Sequence, residues 1–328
     1  MLIQNSVPDT SRTLVSTTTN PDSPTPNLLR LRTFVETKQD TAMILVTGAT
    51  GQLGKAVIEQ LLQKTSADQI AALVRDENKA AYLVEKGVDL RIGHYDDTNS
   101  LDRAMQGIEK VLLISGGDAD NGLQQHYHVV DAAKKANVSC IAYSSRSMQD
   151  PSSLANGLMT RHFETEDYIK ASGLDYVLFR NILYMDTLPV FLGPSVLDSG
   201  IFLPAGQGKV AFALRAEMGE AMANVLVDAP CKNQVYDFTG TQAYSFGDVA
   251  SVLTDLSDKT VTYTPVDASA FQSQMKQRGI PEGMIQRIIN FMTDIKNGQE
   301  AGVSTDLERI LGRKPTSLRD GLKSLFLL

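Results

Sequence analysis

The sequence has few cysteines, no long apolar run and no excess of positive charge. Cys140 and Cys231 are its only cysteines, and they lie far apart without the spacing of metal ligands, which indicates buried or incidental thiols in a reducing, cytoplasmic setting. No run of about 18 uncharged apolar residues is available to span a bilayer, so no membrane helix is expected. The formal net charge of -7 argues against a protein that binds nucleic acid phosphates.

Residues 1–42 also lack a sustained apolar pattern. They are rich in Ser, Thr, Pro and Asn, a composition that predicts a disordered N-terminal extension. A secretory signal would need a compact apolar centre, and a transit peptide would avoid acids such as Asp9 and Asp22. Met43 stands directly before the first predicted strand, a position that suits a native start.

The most informative stretch lies immediately after this segment. A short apolar run ends at Thr47, glycines follow at 48, 51 and 54, and apolar residues then recur every four positions from Leu53. This pattern predicts a strand, a tight turn and a helix. Glycines at such a turn let a pyrophosphate approach the main chain at the open helix start. The stretch therefore predicts a dinucleotide site, although a glycine triplet alone is also compatible with an ordinary loop.

Strand and helix patterns alternate after this turn. The alternation predicts an α/β fold, a Rossmann-type doubly wound parallel sheet over residues 43–188. It lapses beyond about Asp186, so residues 189–328 are expected to form mainly a smaller α+β substrate domain, from which some segments return to the sheet.

Several residues are placed to meet the cofactor. Arg75 ends the second strand about 20 residues after the glycines, where an arginine suits the 2′-phosphate of NADPH, while Asp76 beside it leaves NADH open. Asp96 either meets an adenine amino group or caps a turn. Ser144, at the carboxyl edge of the sheet, is a candidate for the nicotinamide side. No metal is expected, and His126, two residues from His128, is interpreted as a partly exposed or capped imidazole.

Four segments together carry a family resemblance: Thr47–Gly54, Val74–Arg75, Phe179–Asn181 and the closing run from Leu311 to Leu318. With His162-x-x-Thr165-Glu166, they make the chain resemble the NmrA-like atypical short-chain dehydrogenase/reductases. Within that group it looks most like the type 2 NAD(P)H:quinone oxidoreductases and the triphenylmethane dye reductases. The resemblance covers essentially Met43 to the C-terminus.

The resemblance implies roles for individual residues. Cofactor contacts fall on Gly48, Thr50, Gly51, Gln52, Leu53, Arg75, Ser115 and Gly116. Asn181 and Tyr184 match the approach to the nicotinamide. His162 stands where related reductases carry a catalytic lysine, and Leu158 stands where they place a tyrosine. The usual Tyr-x-x-x-Lys acid pair is therefore missing, and His162 either assists proton transfer or only packs and hydrogen-bonds.

The missing pair constrains the chemistry. A ketone needs a proton delivered to a developing alkoxide, whereas a quinone or a cationic dye accepts hydride with little acid help. We therefore expect an NAD(P)H-dependent, flavin-free reductase of a small-molecule quinone or similar conjugated acceptor. The alternatives are a triphenylmethane dye reductase and an NAD(P)-binding redox sensor without turnover. A homodimer is left open.

Overall fold

The computed structural model describes residues 43–116 and 121–328. The predicted disordered extension, residues 1–42, lies outside the described residues. The strands are β1 (Ile44–Val46), β2 (Ile70–Val74), β3 (Asp89–Ile92), β4 (Lys110–Leu113), β5 (Cys140–Arg146), β6 (Asp175–Asn181), β7 (Ile201–Leu203), β8 (Lys209–Val210), β9 (Gln234–Phe238), β10 (Tyr244–Ser245) and β11 (Tyr263–Pro265).

Helices follow most of these strands. They are α1 (Gln52–Leu61), α2 (Ala81–Glu85), α3 (Thr98–Ala104), α4 (Gly122–Lys135), α5 (Gly157–Ser172), α6 (Leu188–Leu192), α7 (Val196–Ser199), α8 (Arg215–Asp228), α9 (Phe246–Ser257), α10 (Ala268–Gln277), α11 (Glu282–Lys296), α12 (Asp306–Leu311) and α13 (Leu318–Leu325). None of these described helices is long and apolar enough to cross a membrane.

Seven parallel strands form the main sheet, in the order β3-β2-β1-β4-β5-β6-β9. Side chains of successive residues leave a strand on opposite faces, and in β1 Leu45 packs into one apolar core while Ile44 and Val46 pack into the other. Helices α1 and α8 cover one face, and α3, α4 and α5 cover the other. Both faces are buried, which explains the continuous apolar runs. The predicted doubly wound α/β fold is confirmed.

The C-terminal residues contribute to this sheet as well as to smaller elements. Strand β9 pairs with β6 in parallel, with Phe238 opposite Asn181. Strands β8 and β10 form one two-stranded sheet, and β7 and β11 form another. The division at residue 188 stays a prediction.

The two cysteines form a disulfide, so the expectation of two free thiols is wrong. Cys140 begins β5 and Cys231 lies between α8 and β9, with 5.9 Å between their Cα atoms. Their separation of 91 residues hid this proximity, because the spacing of two cysteines along a chain does not reveal their distance in space. A disulfide does not indicate a reducing compartment, and the cytoplasmic location stays a prediction.

Candidate active site

The glycine turn between β1 and α1 forms one end of the candidate site. Gly48 adopts a φ of +59°, a left-handed conformation that favours glycine. A Cβ on Gly54 would lie 2.3 Å from the Gly48 carbonyl oxygen, so the helix approaches the turn at a distance that only glycine allows. Helix α1 begins after Gly51 without a side-chain cap and without an acidic residue in its first turn. Its N–H groups and its dipole are therefore available to an anion.

A cavity of about 510 Å³ opens beside this turn, a volume within the range of small-molecule sites. Its lining residues come from the carboxyl ends of β1, β2 and β4 and from the segments that follow β3 and open α4. They are Gly48, Thr50, Gly51, Arg75, Gly93, His94, Tyr95, Ile114, Ser115, Gly116 and Gln125. Six of the ten predicted cofactor residues are thus brought together at one cavity. Arg75 is exposed at its rim, directly after β2.

The other four predicted cofactor residues do not line this cavity. Leu53 is buried in the core beneath α1, and the exposed Gln52 accepts a hydrogen bond from Arg215. The Ser144 hydroxyl is buried and accepts the Ser115 N–H at 2.9 Å. The Asp96 carboxylate accepts hydrogen bonds from the side-chain amides of Asn121 and Gln125, at 2.7 and 2.8 Å. Contact of Asp96 with adenine stays a prediction.

The segment Ile114–Gly116, here called the wall, forms one side of the cavity. It continues from β4 but leaves the strand ladder. The Ile114 N–H is donated to the Thr47 hydroxyl at 2.9 Å, and the Ile114 carbonyl accepts the Tyr95 hydroxyl at 3.0 Å. Side chains therefore replace the backbone partners that the wall loses where it leaves the sheet.

Asn181 and Tyr184 are brought together at the end of β6. The Asn181 side-chain amide donates to the Tyr184 hydroxyl at 3.3 Å. The Arg215 guanidinium lies over the Tyr184 ring, 4.5 Å from its centroid, and also donates to Gln52. Arg215 thus contacts two residues whose predicted partners differ, the pyrophosphate for Gln52 and the nicotinamide for Tyr184. Sequence reasoning missed this contact because position 215 lies outside every motif.

The buried Asn181 amide oxygen has no hydrogen-bond partner among the described residues. A buried acceptor left in this way costs free energy. It is therefore a position at which a bound donor would be favoured.

His162, which is partly buried, belongs to a separate group on α5. Its Nδ1 lies 2.9 Å from the Tyr143 hydroxyl. Burial lowers the pKa of His162 well below 6.5, and the positive charge of Arg146 lowers it further. Burial also raises the pKa of Tyr143, with smaller contributions in the same direction from Glu166 and Tyr184. Both side chains are therefore neutral near pH 7.

The motif residues Glu166 and Arg180 form a structural ion pair. The Arg180 Nε and Nη2 donate to the two Glu166 oxygens at 2.9 and 2.7 Å, and the Ser145 hydroxyl donates to Glu166 at 2.6 Å. Burial raises the pKa of Glu166, but the hydrogen bonds from Arg180 and Ser145 outweigh it and hold the pKa below its usual value. This part of the family motif therefore joins α5 to β5 and β6.

The end of α11 fixes the loop after β5. Asp294 accepts the N–H groups of Ala155 and Asn156 at 2.7 and 3.2 Å. Glu300 accepts from the Arg146 guanidinium and from the Leu183 N–H. Arg146 and Glu300 are both buried, so this is an ion pair shielded from water.

The two histidines of α4 differ in burial. His126, expected to be partly exposed or capped, is only 4% exposed, and its Nε2 accepts the Gly116 N–H of the wall. His128 is partly buried, with its Nδ1 2.9 Å from the Tyr95 carbonyl oxygen. No cluster of three or more His, Cys, Asp or Glu suited to a metal ion is present within residues 43–116 and 121–328.

Comparison with known families assigns this chain to a family. Residues 40–325 match the model of the NmrA-like family. The chain belongs to the NmrA-like family. It is 37% identical over 285 residues to quinone oxidoreductase 2 of Escherichia coli, covering 87% of this chain and 99% of that protein.

Solved structures agree with this family assignment. The NADPH complex of the E. coli NADPH-dependent quinone oxidoreductase superposes with a TM-score of 0.82 at 35% identity, covering 87% of this chain and 100% of that one. Triphenylmethane reductase of Citrobacter sp., complexed with NADP(H), superposes with a TM-score of 0.80 at 34% identity. The match covers 86% of this chain and 99% of that one. The resemblance to the NmrA-like group is thereby confirmed, while the roles of individual residues stay predictions.

Proposed function

We propose that this NmrA-like protein is an NADPH-dependent reductase that passes a hydride directly to a quinone or a similar conjugated acceptor. The observation that carries the proposal is the cavity that joins the open N-terminus of α1 to the exposed cation of Arg75. Two anionic groups of one ligand, a pyrophosphate and a 2′-phosphate, match these two features. The E. coli and Citrobacter relatives named above were solved with NADPH and NADP(H).

The residues present fit such a cofactor. Gly48 and Gly51 present bare backbone to the cavity, and a Cβ at position 54 would displace the backbone of the turn. The unpartnered Asn181 oxygen would be satisfied by an N–H donor such as the carboxamide of a nicotinamide. When bound, the reduced nicotinamide supplies the hydride.

Two predicted catalytic side chains, His162 and Tyr184, decide how much acid help an acceptor receives. His162 carries no charge near pH 7 because burial lowers its pKa, so it orients groups rather than acting as a strong acid. The Tyr184 hydroxyl accepts from Asn181 and donates no hydrogen bond within the described residues, which leaves its proton available to a substrate oxygen. One weak donor suits a quinone, whose reduction gives a delocalised anion, better than a simple ketone.

The test is turnover by the purified protein with NADPH. Loss of the reduced nicotinamide absorbance is followed with benzoquinones, naphthoquinones and triphenylmethane dyes, and a simple ketone serves as the negative control. We expect turnover with quinones and none with the ketone. Tight NADPH binding without turnover of any acceptor would favour the redox sensor, and turnover confined to cationic dyes would favour the dye reductase.

The finer details remain predictions. They are the preference for NADPH over NADH, a mechanism without flavin or metal, a homodimer and a cytoplasmic location. Parallel assays with NADH and a flavin spectrum of the purified protein test the first two.

A further inference from the structure

Three hydrogen bonds from backbone to side chains hold the wall of the cavity. Its three successive N–H groups are each donated to a side chain from a different element, Thr47 after β1, Ser144 on β5 and His126 on α4. The last of these bonds runs from the Gly116 N–H to His126 Nε2, at 3.1 Å. Gly116 lines the cavity, so the buried His126 holds a residue of the wall that faces the cavity.

The partners of His126 fix its tautomer. A backbone N–H can only donate, so the Nε2 that faces Gly116 is unprotonated. The neutral ring therefore carries its proton on Nδ1, which lies 2.9 Å from the Thr165 hydroxyl oxygen. That hydroxyl in turn donates to the Arg161 carbonyl at 2.9 Å. Each donor in this series meets an acceptor, which is the arrangement that a buried polar group requires.

The neutral state of the ring is maintained by its surroundings. Burial lowers the pKa of His126 to about 4, and the positive charge of Arg161 acts in the same direction. Protonation of Nε2 would place a second donor against the Gly116 N–H and remove the acceptor. The bond to the wall therefore exists only in the neutral form.

The series also connects two parts of the candidate site. Thr165 lies on α5, one turn after His162, and the His126 ring meets the Tyr143 ring edge-on, with 5.5 Å between centroids. Tyr143 in turn contacts His162. The His126 ring thus bonds both to the wall and to α5, the helix that carries His162.

We propose that His126 is a positioning residue whose unprotonated Nε2 fixes Gly116, and with it the wall against which the dinucleotide lies. The inference rests on the proposed function for the identity of the ligand. His126 does not touch the cavity itself, so its effect on a ligand passes through the Gly116 N–H. The competing explanation is that His126 only fills space between α4, α5 and β5.

Two variants separate these explanations. His126→Gln keeps an acceptor near the Nε2 position, whereas His126→Asn keeps a donor near the Nδ1 position and loses the acceptor toward Gly116. We expect the dissociation constant of NADPH to rise about threefold to tenfold in His126→Asn, the range for one lost neutral hydrogen bond, and to stay within about twofold in His126→Gln. The KM of the acceptor at saturating NADPH is expected to be unchanged in both.

Two measurements without cofactor test the bond directly. In ¹⁵N-labelled wild-type protein, long-range ¹H–¹⁵N spectra are expected to show His126 protonated on Nδ1. Amide exchange at Gly116 is expected to be slow in wild type and His126→Gln and faster in His126→Asn. A proton on Nε2, equal Gly116 exchange in the two variants, or equal loss of NADPH affinity in both would overturn the inference. Wild-type protein that binds no NADPH would instead contradict the proposed function. The tautomer and the Gly116 exchange would still test whether His126 holds the wall, because neither measurement needs the cofactor.

Discussion

The carboxyl edge of the sheet contains two regions that are built in different ways. The turn side, residues 48–51 with Arg75 and the wall, presents mostly backbone and small residues to a cavity. The network side consists of polar side chains that bond to one another across elements: Ser145 and Arg180 to Glu166, Arg146 to Glu300, and Ser147 to Asp237. A surface of backbone N–H groups is suited to receive a ligand, whereas a network of side chains bonded across elements is suited to hold those elements together. Substitutions on the turn side should therefore change cofactor affinity, and those on the network side should change stability.

The largest expected effect is on the network side. Arg146→Met leaves the buried Glu300 carboxylate without its charged partner, which should lower the free energy of unfolding by about 3–5 kcal/mol. Denaturant unfolding measures this change. The matched control is Arg146→Met with Glu300→Gln, which removes both charges and keeps an acceptor for the Leu183 N–H, and it should recover most of the loss. If the double variant is no more stable than the single one, the pair does not act as we describe.

The disulfide between Cys140 and Cys231 should give the next largest effect. It closes a loop of 91 residues, and reduction should lower the free energy of unfolding by about 2–4 kcal/mol. Unfolding curves with and without reductant measure the difference, and Cys231→Ser should match the reduced wild type and no longer respond to reductant. Two free thiols in the unreduced protein, found by thiol titration under denaturing conditions, would contradict the pairing.

On the turn side, Arg75→Ala should change cofactor choice. Loss of a charge-assisted contact to the 2′-phosphate should weaken NADPH by about 1.5–3 kcal/mol, or roughly ten- to a hundredfold, and leave NADH nearly unchanged. Dissociation constants for both nucleotides provide the measurement. Lys79→Ala, which removes another exposed cation near Asp76, is the control for a general charge effect. An equal loss of affinity for NADPH and NADH would show that Arg75 does not contact the 2′-phosphate.

Gly54→Ala tests the closeness of the turn and α1. The added Cβ would lie 2.9 Å from the Ala49 Cα as well as close to the Gly48 carbonyl, so the backbone must shift. We expect about 1–3 kcal/mol of lost stability and a loss of NADPH affinity in the folded protein. Gly157→Ala is the control, because nothing lies within 4 Å of its added Cβ. Unchanged NADPH affinity in Gly54→Ala would mean that the turn does not meet the cofactor.

The same contrast explains how much the sequence reveals. The turn side is local: Gly48, Gly51 and Gly54 lie within one short stretch, and Arg75 follows the next strand. Their spacing therefore predicted the fold and the place of Gly48, Gly51 and Arg75 at the cavity, but not Tyr95 or Gln125, which line it from other elements. Ser144 illustrates the opposite case, because its hydroxyl supports the wall from behind and no spacing distinguishes this from direct contact. The Arg146–Glu300 pair spans 154 residues, and only the tertiary fold brings such partners together. The burial and the bonds of His126 were not predicted for the same reason, since its partners Gly116 and Thr165 lie on other elements.

The smallest expected effect is a dependence of folding stability on pH that His126, behind the wall, produces. The pKa of His126 falls from 6.5 to about 4 on folding because burial disfavours its charged form, so between these values the unfolded chain binds more protons than the folded one. Stability should therefore rise with pH across this window and be lost as the pH falls, by about 1 kcal/mol between pH 7 and pH 5.5 for His126 alone. Denaturant unfolding of the cofactor-free protein at several pH values measures the slope. His126→Asn should remove this contribution, whereas His94→Asn, which changes a histidine whose side chain is 43% exposed, should retain it. An unchanged slope in His126→Asn would show that the ring is protonated alike in both states, and a ring charged in the folded protein could not accept the Gly116 N–H.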